Sequence, residues 1–101
     1  EEIIEKVCEK YPYYSGTRTK EGAYPELDSV NTLQLYTEII ASGSVPEEAV
    51  YEFVKAAIEG QPDYVDAHVA CQEIVAETAY QASAELHPGA ARYYREIGLI
   101  E

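Results

Sequence analysis

The sequence predicts an α+β fold, mostly helical with a small β element. Three observations carry this reading. Apolar residues recur at helical spacing over 45–59, between Ser44 and Gly60. A shorter amphipathic run opens the chain and another follows Pro88. Between them, residues 30–41 are dense in β-branched and aromatic side chains and alternate at period two.

The elements follow in order. Ile3, Ile4, Val7 and Cys8 make one apolar stripe, so residues 2–10 form a helix that Pro12 ends. Tyr11-Pro12-Tyr13-Tyr14 reads as extended and turn-bounded. Gly22 and Pro25 make 17–28 a loop or a short edge strand. Residues 30–41 read as a strand with Leu33, Leu35 and Ile39 on one face, stopped by Ser42-Gly43. Ser44 and Glu47 have capping-box spacing. Val50, Phe53, Val54, Ala57 and Ile58 then form the buried stripe of a helix over 45–59, with Gly60 at C′.

Residues 63–85 have helical propensity, with Tyr64, Ala67, Cys71, Ile74, Val75, Thr78 and Ala82 near one stripe and a break inside. Pro88 suits the first turn of a last helix. Ala91, Tyr94 and Ile97 share its face, Gly98 ends it, and Leu99-Ile100 dock as an apolar tail.

The 101 residues fit one modest core, and residues 1–101 are read as one structural unit. The net charge of -12 argues against nucleic acid and anionic membranes as partners. No apolar stretch approaches the roughly 20 residues that span a bilayer. The chain has no methionine, so it reads as a processed product or an excised piece, and no signal peptide is visible in it. Ten Tyr against one Phe and no Trp suit half-buried and interface positions.

Candidate chemistry is sparse. His68 and Cys71 lie at i, i+3, a spacing that can hold two metal ligands. A full site needs a third ligand, for which His87 and Cys8 are the candidates, and a buried thiol beside a helical His explains the pair more simply. Cys8 and Cys71 read as free thiols, with a disulfide open only in an oxidising compartment. The surroundings are acidic and disfavour a reactive thiolate, so no enzyme, metal or cofactor is expected. Arg18, Lys20, Arg92 and Arg95 are the basic candidates for an anion, against a reading as solvated surface.

One stretch is more specific. His87-Pro88-Gly89-Ala90-Ala91-Arg92-Tyr93-Tyr94-Arg95-Glu96-Ile97-Gly98 resembles the ending of the TAXI-type solute-binding proteins of TRAP transporters. Tyr11-Pro12-Tyr13-Tyr14, Gly22-Ala23-Tyr24-Pro25 and Pro46-Glu47-Glu48-Ala49-Val50-Tyr51-Glu52 resemble further landmarks of that family, in the same order. Thr19-Lys20-Glu21 stands where the family usually has Ile-Pro, and Glu26 where a Gly commonly follows Tyr-Pro.

The resemblance implies the C-terminal portion of a periplasmic or extracytoplasmic protein with a two-lobed α/β, type II periplasmic-binding fold. The strand at 30–41 would cross between lobes. Such proteins capture small organic anions, amino or dicarboxylic acids, and pass them to membrane permease subunits. The cleft would bring Tyr24 near the ligand, where its hydroxyl reaches a carboxylate; the competing reading is a turn tyrosine packed between lobes. The alternative is an autonomous, acidic, Tyr-rich protein-interaction domain. As an isolated fragment, the chain would leave the strand at 30–41 without its sheet neighbours, and that exposed edge invites pairing of two copies into a homodimer.

Overall fold

The computed structural model describes residues 1–101. It is mostly helical, with five α-helices, one 3-10 helix and a two-stranded sheet. The residues fall into two compact units, 1–38 and 39–101.

The first unit opens with α1, Glu2–Lys10. Glu2 and Glu5 in the first turn and Lys10 in the last complement the helix dipole. Ile4, Val7 and Cys8 are half-buried, but Ile3 faces outward. The chain then turns at Tyr11–Tyr14, where the Tyr14 N–H donates to the Tyr11 carbonyl at 3.0 Å. Strand β1, Ser15–Arg18, pairs antiparallel with β2, Asn31–Gln34, with Ser15 opposite Gln34 and Arg18 opposite Asn31. Beyond the ladder the Thr19 N–H donates to the Val30 carbonyl at 2.9 Å, and Ser29 Oγ donates to the Thr19 carbonyl at 2.6 Å.

The strand expected over 30–41 is therefore only four residues long. Its partner explains the difference. β1 begins at Ser15, directly after the Pro12 turn, so nothing lies opposite the chain beyond Gln34. Leu35, Ile39 and Ile40 leave the ladder and stand exposed.

The second unit is built on α2, Glu47–Glu59, and α5, Pro88–Glu96. The capping box does not form. Pro46 occupies the N-cap with φ -55° and ψ 140° and has no side chain to cap with, while Ser44 Oγ pairs with Ser42 Oγ at 2.9 Å. Gly60 is right-handed, with φ -85°, so it does not end the helix in the left-handed way expected; the chain runs on into α3, Gln61–Tyr64.

Residues 63–85 share no helical stripe. They form the end of α3, the 3-10 helix Val69–Glu73, α4 at Ala76–Ala79, and irregular chain. Two extended residues interrupt them. His68 has φ -159° and ψ 147°, and its Nδ1 accepts the Ala70 N–H at 3.1 Å, a local bond that competes with helix propagation. Val75 is also extended, with φ -127° and ψ 148°.

α5 follows its sequence signals more closely. Pro88 sits in its first turn. At the other end Gly98 has φ +78°, in the left-handed region. Its N–H donates to the Arg95 carbonyl at 3.0 Å and the Leu99 N–H to the Tyr94 carbonyl at 2.9 Å, the bond pair of a Schellman motif. That turn folds Leu99 and Ile100 back onto the core, so the tail docks as expected.

The core is Val50, Tyr51, Ala90, Tyr93 and Tyr94, with Val54, Ile58, Tyr80 and Leu86 packed against it. Tyr93 is only 2% exposed. Phe53 lies outside, because α5 covers the face of α2 that carries Tyr51 and Val54. Gly89 sits against Glu47–Tyr51, and Tyr93 meets Tyr51 edge-on with ring centroids 6.0 Å apart. Contacts thus advance in the same sense along both helices, which run parallel.

Their starts are pinned together. His87 caps α5: its Nδ1 accepts the Gly89 N–H at 3.2 Å, which fixes the proton on Nε2, and Nε2 donates to the Val45 carbonyl at 3.0 Å. A Cβ on Gly89 would lie 2.2 Å from the Glu47 carbonyl oxygen and 2.7 Å from the Tyr51 nitrogen. Backbone cannot yield there as a flexible side chain would. Gly89→Ala is expected to lower stability by about 2–3 kcal/mol by forcing the helices apart. His87→Ala is expected to cost about 1–2 kcal/mol through the lost cap and tether. Thermal unfolding followed by circular dichroism checks both; an unchanged midpoint for Gly89→Ala would contradict the close approach.

Candidate functional site

Tyr24 lies in the long β1–β2 connection. The Ala23 N–H donates to the Lys20 carbonyl at 3.1 Å, and the Leu27 N–H to the Tyr24 carbonyl at 3.2 Å. Two consecutive turns thus shape the loop, the second with Pro25 at its i+1 position, where a fixed φ is favoured. Tyr24, Pro25, Glu26 and Leu27 line an open surface depression of about 450 Å³. Tyr24 is 57% exposed. The depression therefore offers a phenol, a carboxylate and an apolar floor.

Arg18, Arg92 and Arg95 are engaged by the protein itself. Arg18 Nε donates to Ser29 Oγ at 2.8 Å. Arg95 Nε donates to the Glu101 carbonyl at 2.8 Å. Arg92 donates to Glu47 at 3.2 Å and to Glu48 at 2.9 Å, with its guanidinium carbon 3.8 Å from the Tyr51 ring centroid. Cys8 and Cys71 are both half-buried free thiols. His68 and Cys71 do not share an α-helical face, because His68 caps the 3-10 helix that holds Cys71. No group of three or more His, Cys, Asp or Glu side chains is placed to hold a metal ion.

The polar cluster that sequence reasoning missed sits along α2 and α5. Tyr51 donates its hydroxyl to Glu96 at 2.6 Å, and Lys55 approaches the Tyr51 ring at 5.7 Å. Each group was visible in the sequence, but the pairing of residues 45 apart depends on the close crossing at Gly89. The bond to Glu96 holds the Tyr51 phenol above its usual value, with burial adding to the shift. Burial also pushes Tyr93 and Tyr94 up, and the nearby Glu59 charge adds to Tyr93. This cluster is saturated with internal partners and holds the helix pair together.

These shifts have a pH consequence. A phenol whose folded value is raised favours the folded state fully below its unfolded value, near 10, and loses that contribution as pH rises through the folded value. The thermal midpoint is expected to fall steeply above about pH 10. Tyr94→Phe should flatten that decline; an equally steep fall in the variant would show that other groups govern it.

The described geometry is thus a loop depression in the first unit and an internally satisfied helix pair in the second. No helix is long and apolar enough to cross a membrane. No solved structure matches the chain. A family model described as the NMT1-like family matches residues 1–98, almost the whole sequence. The chain belongs to the NMT1-like family, a family of periplasmic solute-binding proteins.

Proposed function

We propose that this chain is the C-terminal portion of an extracytoplasmic solute-binding protein of the TAXI type. It serves capture of a small organic acid and its delivery to a TRAP-type permease, without catalysis. The observation that carries this reading is the family match over residues 1–98. The ordered landmarks from Tyr11-Pro12 to His87-Pro88-Gly89-Ala90 support the finer assignment.

Tyr24 is the proposed ligand contact. It is an exposed residue, and a tyrosine hydroxyl can donate to a carboxylate. Glu26 lines the same depression, and a second carboxylate on the ligand would meet it with like charge. An amino acid fits better than a dicarboxylic acid, because its ammonium group can face Glu26 while its carboxylate takes the tyrosine. The opposite wall of the cleft would come from the rest of the full-length protein.

The test uses that full-length protein and a panel of amino and dicarboxylic acids. A ligand at 100 times its Kd is expected to stabilise by about 2.7 kcal/mol. Amino acids should raise the thermal midpoint more than dicarboxylic acids. Tyr24→Phe should weaken binding without moving the midpoint of the free protein. If Glu26→Gln leaves the preference unchanged, the role of Glu26 is wrong. If no acid of either class stabilises the protein, solute capture of this kind fails.

A further inference from the structure

The β1–β2 connection leaves the sheet through a clasp of side chains. The register that sets Arg18 opposite Asn31 continues to Thr19 opposite Val30, where the Thr19 N–H donates to the Val30 carbonyl at 2.9 Å. The other two groups of that rung go to hydroxyls. The Val30 N–H donates to Thr19 Oγ1 at 2.9 Å, and the Thr19 carbonyl accepts from Ser29 Oγ at 2.6 Å. Side chains that take over ladder groups in this way end the strands locally. Arg18 then crosses the neck of the loop. Its Nε donates to Ser29 Oγ at 2.8 Å and its Nη2 to the Ser29 carbonyl at 3.0 Å. The Ser29 hydroxyl thus accepts from one neighbour and donates to another, which fixes its proton.

Burial does little to hold the loop beyond this neck. Thr19 and Ser29 are half-buried, whereas every residue from Glu21 to Asp28 is exposed. The Lys20–Ala23 turn, with Gly22 at φ +77°, and the Tyr24–Leu27 turn give the loop its local shape. Its direction relative to the sheet is set where it joins the strands, at Arg18, Thr19 and Ser29.

We propose that Arg18, Thr19 and Ser29 are positioning residues for solute binding, which hold Tyr24 in place before the ligand arrives. The inference rests on the assignment of Tyr24 as a ligand contact. A loop that must be ordered on binding lowers affinity, because only the fraction of molecules already in the competent form can bind. The competing account is that the Arg18 charge attracts an anion directly. Lysine separates the two, since it keeps the charge and loses the planar fork.

The test titrates the full-length protein calorimetrically with the common L-amino acids and short dicarboxylic acids. Ser29→Ala removes the hydroxyl that bonds both Arg18 and Thr19. It should weaken binding of whichever acid the native protein takes by about tenfold. Ser29→Thr keeps the hydroxyl and should restore most of that affinity. Arg18→Lys should weaken binding as Ser29→Ala does; native affinity in Arg18→Lys overturns the proposal in favour of charge. Because the clasp acts through Tyr24, Ser29→Ala should cost much less in a Tyr24→Phe background. A full, additive loss there marks a general weakening of the fold and overturns the proposal. Amide hydrogen exchange reads the clasp with no ligand present. The Leu27 and Val30 N–H groups should exchange faster in Ser29→Ala than in the native protein and at the native rate in Ser29→Thr. Equal exchange in all three overturns the clasp even where an acid binds. Native protein that binds none of the acids, with exchange as expected, instead overturns solute capture, and the positioning role goes with it.

Discussion

The second unit depends on one close approach: α5 lies against the backbone of α2 at Gly89. Everything around it follows from that contact. His87 can reach the Val45 carbonyl only when the two helix starts abut. Tyr93 and Tyr94 become buried because the helices run side by side from there. Arg92 falls one turn on, where it meets both Glu47 and Glu48 and lies over Tyr51. Two parallel helices bring their positive ends together, and the first-turn acids of α2 offset that charge. The backbone constraint is thus also an electrostatic one.

The acid excess takes different forms along the chain. Glu47 and Glu48 are exposed but share an arginine, an arrangement that contributes modestly to stability and fixes the lateral register of the helices. Glu96 is tied to a tyrosine hydroxyl. Glu26 lines an open depression, where a carboxylate can influence what approaches. Surface charge of one sign therefore serves packing in the second unit and stands open to solvent in the first.

Local signals made much of this legible, and their failures share a cause. α1, the Pro88 start of α5 and the Gly98 stop depend on residues within a turn of each other, so the sequence pattern was sufficient. The strand over 30–41 was overestimated because its length is set by a partner, and the Tyr11–Tyr14 turn removes that partner. Ser44 and Glu47 had the right spacing for a capping box, but Pro46 placed the helix start two residues past the serine. Residues 63–85 have helix-forming composition, yet the extended backbones at His68 and Val75 divide them. The Tyr51–Glu96 and Arg92–Glu47 pairs were not foreseen, since 45 residues separate each pair.

The tyrosines of the core give the molecule an optical identity as well as a mechanical one. With ten Tyr, one exposed Phe and no Trp, its near-ultraviolet spectrum belongs almost entirely to phenol rings. Tyr51, Tyr93, Tyr94 and Tyr80 form a chain of edge-on neighbours in an asymmetric setting, whereas Tyr24 stands in solvent. Near-ultraviolet circular dichroism therefore senses the helix pair together with the Tyr11–Tyr13–Tyr14 group of the first unit, and fades if tertiary packing melts while the helices persist. The native protein carries its own reporter of core integrity, without any introduced label.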